Sequence, residues 1–334
     1  MFIVIEGADG SGKSSLAKKV VEKLEAASGQ APEQFHKGKP EELSRRWVLH
    51  EYAIDIERDN FTEKNAVADR WHWGEITYAP LKRPQTCKDE YGLLGQAGWR
   101  WVELFLASRG VAQFWLRQPL DVIVSRVEQR GDDFVSTTEL KQILDLYASG
   151  AEKALSLSGV VVPPDDIEAL DDVADRVVSI GELKSSSARL LAGFPEYIGV
   201  PRPKVLLVGD KRNENKKPSS TILPFMPVDS NSGEFLMTAL PEQLWRNVGI
   251  VNAADVYGLR LLQLHSALDR PKIVALGRLA ERELRNAGLY DGTVVVPHPQ
   301  YVKRFHHKDK YEYGRAIESF ADGATERYSN WILR

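Results

Sequence analysis

The chain opens with a continuous apolar run, Phe2-Ile3-Val4-Ile5, and a short unbroken run of this kind reads as a strand buried on both faces. After a glycine-rich stretch the period changes. Leu16, Val20, Val21 and Leu24 recur at helical spacing and put one apolar face toward a core. Residues 30–46 are polar and read as loop, and residues 47–56 fit either a helix or a short extended piece. Residues 65–68 predict a second core strand that ends at Asp69-Arg70. Beyond it the pattern predicts a helix over 99–108 with Val102, Phe105 and Leu106 facing inward, then a strand over 111–116. Helices over 121–130 and 138–155, a strand over 160–162 and a helix over 167–180 follow. Strands alternating with helices in this way specify a parallel, doubly wound α/β sheet.

At 334 residues the chain exceeds one ordinary core. Ser185-Ser186-Ser187 and the Gly/Pro-rich run over 193–203 read as a linker, which divides the chain into a domain over 1–184, a linker over 185–202 and a domain over 203–334. The second domain is also α/β, with strands expected over 204–208, 248–251, 273–276 and 293–296 and helices over 253–267 and 278–287.

The glycine-rich stretch carries the clearest chemistry. Gly7-Ala8-Asp9-Gly10-Ser11-Gly12-Lys13-Ser14 matches G-x-x-x-x-G-K-[ST], and it lies between a strand and a helix, the context such a phosphate loop requires. Glycines let backbone N–H groups turn inward as an anion nest, and the helix N-terminus adds partial positive charge. The stretch from Gly7 to Ser15 is therefore expected to bind a nucleoside triphosphate, ATP, with Lys13 on the β- and γ-phosphates and Ser14 on Mg²⁺. Ligands of open α/β sheets sit at the carboxyl ends of strands, which puts Asp69 and Arg70 beside this loop.

These residues resemble the thymidylate kinase family over residues 1–183. The resemblance is carried by Glu6 and Asp9 within the loop, by Asp69-Arg70-Trp71, and by Glu75 and Tyr78 in the helix after it. It implies that Arg70 binds a phosphate of the acceptor, that Asp9 lies near the acceptor sugar, and that Arg126 and Arg130 are lid arginines. Phosphoryl transfer needs charge neutralised on three oxygens and an aligned nucleophile. Lys13, Mg²⁺ and the arginines supply the first, and Asp69 or Asp9 the second. Trp71-His72-Trp73-Gly74-Glu75 and the polar insertion over 83–98 depart from the family's pattern where the acceptor sits. Trp73 is a candidate to stack on a base, while Trp71 reads as core.

The second domain resembles the uracil-DNA glycosylase superfamily over residues 203–310. A first strand runs into Gly209-Asp210, a later strand ends in Asn252, and the segment over 271–283 is followed by Val296-Pro297-His298-Pro299-Gln300. The resemblance implies that Asp210 stands where the family positions water and that Asn252 and His298 contact a base. Gln300 replaces the family's serine, so the domain is compatible with holding DNA without cutting a glycosidic bond. Lys211, Arg212, Lys216 and Lys217 follow the first strand, and Lys303, Arg304, Lys308 and Lys310 follow His298. Both groups are placed to meet a phosphate backbone. His306-His307 reads as solvated loop rather than metal ligands.

Composition agrees with unequal partners for the two halves. Residues 1–200 hold 24 Lys+Arg against 32 Asp+Glu, a net of −8, and residues 201–334 hold 20 against 15, a net of +5. A single cysteine, Cys87, fits a reducing compartment, and no run is long and apolar enough to cross a bilayer. The expected location is the cytoplasm, that of the host if the protein is viral. A thymidylate-type kinase joined to a base-reading domain points to an acceptor base within DNA. The 5-hydroxymethyluracil DNA kinases of bacteriophages that hypermodify thymine, a subfamily of thymidylate kinases, have this chemistry, and the chain resembles them. The alternatives are a deoxynucleoside (thymidine) monophosphate kinase acting on free nucleotide and a nucleotide-regulated DNA glycosylase.

Overall fold

β1 (Phe2–Gly7) is buried along its whole length because it is the central strand of a sheet covered on both faces. The structure, a computed structural model, describes residues 1–58, 64–87, 89–131, 135–163, 167–210, 223–227 and 231–333. It divides into two units, Met1–Gly95 with Gly110–Arg189, and Gln96–Arg109 with Leu190–Arg334.

In the first unit β1 is joined by β2 (Glu33–His36), β3 (Ala66–Asp69), β4 (Ala112–Leu116) and β5 (Leu157–Val161). The order is β2-β3-β1-β4-β5, and every pairing is parallel. The chain leaves β1 to one side through β2 and β3 and returns to the other through β4. That reversal opens a crevice beyond the carboxyl end of β1. α1 (Lys13–Ser28) follows β1 directly, and α2 (Arg45–Arg58), α3 (Trp73–Thr77) and α4 (Ala79–Lys82) flank β3 in sequence. After α5 (Gly95–Ser108) come α6 (Leu120–Arg130), α7 (Thr137–Lys153) and α8 (Ile167–Ala188). Leu16, Val20 and Leu24 of α1 meet Val173, Ala174 and Val177 of α8 over Ile3, Ile5, Phe114 and Leu116 of the sheet. The helical period read from the sequence is thus the face that makes this core.

Three local expectations change. β2 lies inside the stretch read as loop, because it is a four-residue edge strand whose positions alternate between half-buried and exposed. Residues 47–56 resolve as part of α2. Ser185-Ser186-Ser187 continue α8 instead of opening a linker. Serine is only mildly unfavourable in a helix, and the last turns of α8 carry it.

The second unit has β6 (Ile198–Gly199), β7 (Val205–Gly209), β8 (Val248–Asn252), β9 (Lys272–Leu276) and β10 (Val294–Val296) in the order β10-β9-β7-β8-β6. β6 is an antiparallel edge, and the other pairings are parallel. Its helices are α9 (Ser232–Ala239), α10 (Glu242–Trp245), α11 (Leu259–Ala267), α12 (Arg278–Asn286), α13 (Pro299–Phe305) and α14 (Lys310–Asp322). Leu206, Val208, Val251, Ile273 and Ala275 from the sheet pack with Leu261, Leu264, Ala280 and Leu284 of α11 and α12.

α5 stands in the sequence among first-unit elements, yet residues 96–109 belong to the second unit. The Arg100 guanidinium, buried, donates to the carbonyls of Met237 at 2.8 Å and Leu240 at 2.6 Å, and it lies over the Trp245 ring. Trp101 Nε1 donates to the Pro224 carbonyl at 3.0 Å. Helical period finds such a helix but cannot name its partner, because Trp99, Trp101, Val102, Leu104, Phe105 and Leu106 bury it nearly all round. Among the described residues no helix is long and apolar enough to cross a membrane.

Candidate functional site

The turn from β1 into α1 requires glycine at two places. Gly10 has φ +79°, and a Cβ there would stand 3.2 Å from the Ile123 carbonyl oxygen. Gly12, with φ +93°, is the residue before α1 begins. Only glycine takes such angles without strain, and the resulting curl aims backbone N–H groups into the loop. Ala8 is fully buried, and its carbonyl accepts from Ser11 N at 3.1 Å and from Lys13 Nζ at 2.9 Å. Ser14 and Ser15 are exposed in the first turn of α1, and Ser11 is buried.

Lys13 is 6% exposed. Burial lowers its pKa to about 8, with the Arg70 cation adding to the effect and Asp9, Asp69 and Glu6 opposing it. The ammonium is therefore poised for an anion that replaces lost water. Ser14 Oγ donates to Asp69 Oδ2 at 2.6 Å, so the last residue of β3 reaches the first turn of α1. Asp69 Oδ1 is buried with no hydrogen-bond partner. A hydroxyl and a carboxylate with an unused oxygen form a hard-oxygen pair that fits Mg²⁺ held jointly with phosphate oxygens. Among the described residues no cluster of three or more His, Cys, Asp or Glu forms an all-protein metal cage.

Asp9 and Arg70 form an ion pair on the same rim. Tyr78 OH donates to Asp9 Oδ2 at 3.1 Å and accepts from Asp9 N at 3.0 Å, and the Arg70 guanidinium lies 4.7 Å from the Tyr78 ring centroid. Burial works against the Asp9 charge, but Arg70, Lys13 and Tyr78 together outweigh it and hold the carboxyl below the usual range. Arg70 itself takes φ +76°, a left-handed conformation uncommon for a residue with a side chain. The segment is pinned by Glu6, whose Oε1 accepts from Trp71 N at 2.8 Å and Trp73 N at 3.2 Å. Glu6 is fully buried; burial raises its pKa, with His72 and the two amides opposing. Arg126 Nη1 donates to the Gly10 carbonyl at 3.1 Å, which places it on the loop. Arg130 is exposed in the last turn of α6.

The structure thus brings Lys13, Ser14, Asp69, Asp9, Arg70 and Arg126 together. Tyr78 joins them, and its part is invisible in sequence because it depends on α3 folding back over the loop. Trp73 does not offer a base-stacking face. Both it and Trp71 are buried, Trp71 against Phe2, Phe35 and Tyr52, and Trp73 against Tyr147. Beside them a buried Glu75 accepts from Arg83 of the insertion at 2.8 Å.

In the second unit Asp210, Asn252 and His298 gather at the carboxyl ends of β7, β8 and β10. Asp210 Oδ1 accepts from Ala280 N at 3.0 Å and so caps the first turn of α12, a structural duty the sequence did not reveal. Asn252 is buried, and its Nδ2 donates to Asp255 at 3.1 Å. His298 Nδ1 accepts from Gln300 N at 3.1 Å, which leaves the ring proton of neutral imidazole on Nε2. Burial lowers the His298 pKa, with Asp210 opposing. The Phe225 ring lies 6.0 Å from the His298 ring at 30°. Gly209 makes room for this group: a Cβ there would stand 2.4 Å from Phe225 and 2.8 Å from Asn252 Oδ1. Phe225 was not singled out by sequence, since the turn around it has no periodic pattern. Lys303 is half-buried and Arg304 exposed on α13. Lys211, Arg212, Lys216 and Lys217 lie outside the described residues, as do Asp132 and Asp133.

No protein-family model matches the sequence, and no curated protein does. Solved structures similar to it include the YorR protein of Bacillus subtilis in complex with phosphorylated GDP, at 20% identity and a TM-score of 0.44. That match spans 56% of this chain and 98% of the other. A deoxyadenosine kinase from M. mycoides with dCMP and dCDP bound matches at 14% identity and a TM-score of 0.37, over 54% of this chain and all of the other. A shikimate kinase from Acinetobacter baumannii in complex with shikimate matches at 14% identity and a TM-score of 0.30, over 54% of this chain and 91% of the other.

Proposed function

We propose that the chain is an ATP- and Mg²⁺-dependent kinase that phosphorylates the hydroxymethyl group of 5-hydroxymethyluracil in DNA. The observation that carries the transfer is the Ser14–Asp69 hydrogen bond beside buried Lys13, which sets a metal-binding pair and a cation at the end of one glycine-curled loop. Lys13, mostly protonated at neutral pH, meets the β- and γ-phosphates, and Arg126 adds a second cation from α6. Mg²⁺, when bound, neutralises phosphate charge.

Asp69 is engaged with Ser14, which leaves Asp9 to face the acceptor. Its lowered pKa makes it a weak base, suited to accepting a hydrogen bond from the attacking hydroxyl and orienting it. A loose phosphoryl transition state asks little more, because the hydroxyl proton leaves late. The hydroxyl oxygen bonds to the γ-phosphorus, the bond to the β–γ bridging oxygen breaks, and ADP leaves. Arg70 is placed for a phosphate of the polynucleotide.

The choice of acceptor rests on the second unit. The Phe225 ring, the His298 imidazole and the Asn252 amide offer a flat apolar face and polar groups of the kind that hold a pyrimidine taken out of the stack. γ-Labelled ATP is incubated separately with hydroxymethyluracil-containing DNA, unmodified DNA and thymidine monophosphate. Label is expected in the modified DNA alone and absent with Lys13→Ala. Label confined to thymidine monophosphate replaces the acceptor with free nucleotide, and abasic sites without label assign a glycosylase.

A further inference from the structure

Most large apolar side chains of the second unit are buried, but three aromatic rings stand out in one eleven-residue stretch. Tyr301 is 50% exposed, Phe305 67% and Tyr311 64%. Tyr301 and Phe305 lie one turn apart on α13 with ring centroids 5.0 Å apart, so they form one surface and not two isolated rings. The other side of the helix is fixed: Pro299 and Val302 are buried. The His306 ring extends the surface, 5.7 Å from Tyr301. The stretch 301–311 also carries Lys303, Arg304, Lys308 and Lys310 against one acid, Asp309. Lys310 Nζ sits 4.8 Å from the Tyr311 ring centroid.

Exposed aromatic surface is costly to leave in water and marks a contact site when it is contiguous. Its composition selects the partner. A protein core would ask for aliphatic side chains with few charges, and a bilayer surface would ask for apolar chains and not stacked rings. Flat rings interleaved with cations match unpaired bases strung along a phosphate backbone, where stacking and charge act together.

We propose that α13 and the turn after it bind a single-stranded stretch of nucleic acid, with bases stacked on Tyr301 and Phe305 and phosphates on Arg304 and Lys308. This deepens the reading of DNA as the acceptor, since a strand opened to expose one base needs its unpaired neighbours held. The test needs no ATP, so it stands apart from any failure of phosphoryl transfer.

Binding of a fluorescent oligothymidylate to the full chain is measured by anisotropy across a salt series, with inorganic polyphosphate as the base-free control. Tyr301→Ala with Phe305→Ala is expected to weaken oligothymidylate binding by about tenfold or more, leaving the thermal midpoint and polyphosphate binding unchanged. Tyr301→Trp with Phe305→Trp is expected to restore it. Arg304→Ala with Lys308→Ala is expected to flatten the dependence of log affinity on log salt by about one unit. Equal binding by the wild type and the double alanine variant, or equal affinity of the wild type for oligothymidylate and polyphosphate, overturns the proposal.

Discussion

Lys13 shows how much one buried charge can report. Its pKa of about 8 in the folded chain lies below the ordinary 10.5, so the unfolded state binds more protons between those values. Stability therefore carries the full burial penalty below pH 8 and recovers as pH rises toward 10.5. Lys13→Met keeps the stem and removes the charge. It is expected to stabilise the nucleotide-free protein by about 2 kcal/mol at pH 7, the penalty less one lost hydrogen bond to Ala8, while abolishing transfer. Urea denaturation at pH 7 and pH 10 checks this: the gain must shrink at the higher pH. Residues of this sort are legible in sequence because a contiguous motif fixes them. Tyr78 and Phe225 are not, since each acquires its role only when distant backbone brings it to Asp9 or His298.

At the scale of elements, the β1–loop–α1 unit depends on backbone angles that side chains would forbid. Gly10→Ala places a Cβ at φ +79° against the Ile123 carbonyl. It is expected to destabilise the chain by about 1–3 kcal/mol, and to weaken nucleotide binding more than stability, because the curl that aims the N–H groups is lost. Chemical denaturation beside equilibrium titration with a fluorescent ATP analogue separates the two effects. Strongly periodic elements such as α1, α6 and α7 emerge from the sequence nearly at their observed bounds. β2 does not, because a short edge strand has only one neighbour to enforce a pattern. The end of α8 was misread for a different reason: three serines look like a linker until packing elsewhere in the helix carries them.

At the scale of the whole chain, the two-part organisation and the parallel sheets follow from alternating periods, but the route between the parts does not. The backbone passes from the first unit into the second for residues 96–109, returns, and enters the second again at residue 190. A fragment of residues 190–334 lacks α5, and with it Arg100 and Trp101, which satisfy the carbonyls of Met237, Leu240 and Pro224. That fragment is expected to melt well below the second unit of the full chain and to bind a hydrophobic dye. Adding a peptide of residues 95–109 should raise its melting point, and no shift on titration would show that α5 is dispensable.

The same interleaving sets a timetable for biosynthesis. α5 leaves the ribosome long before β7 to β10 exist, so a nascent chain must carry four aromatic side chains of that helix, Trp99, Trp101, Phe105 and the indole-flanked Trp115 region beyond it, through most of translation without their final cover. Neither half can be completed as an independent bead on the string. Early termination anywhere between residues 110 and 230 would strand an adhesive helix, which makes full-length synthesis, and whatever chaperone shelters that interval, a condition of a soluble product.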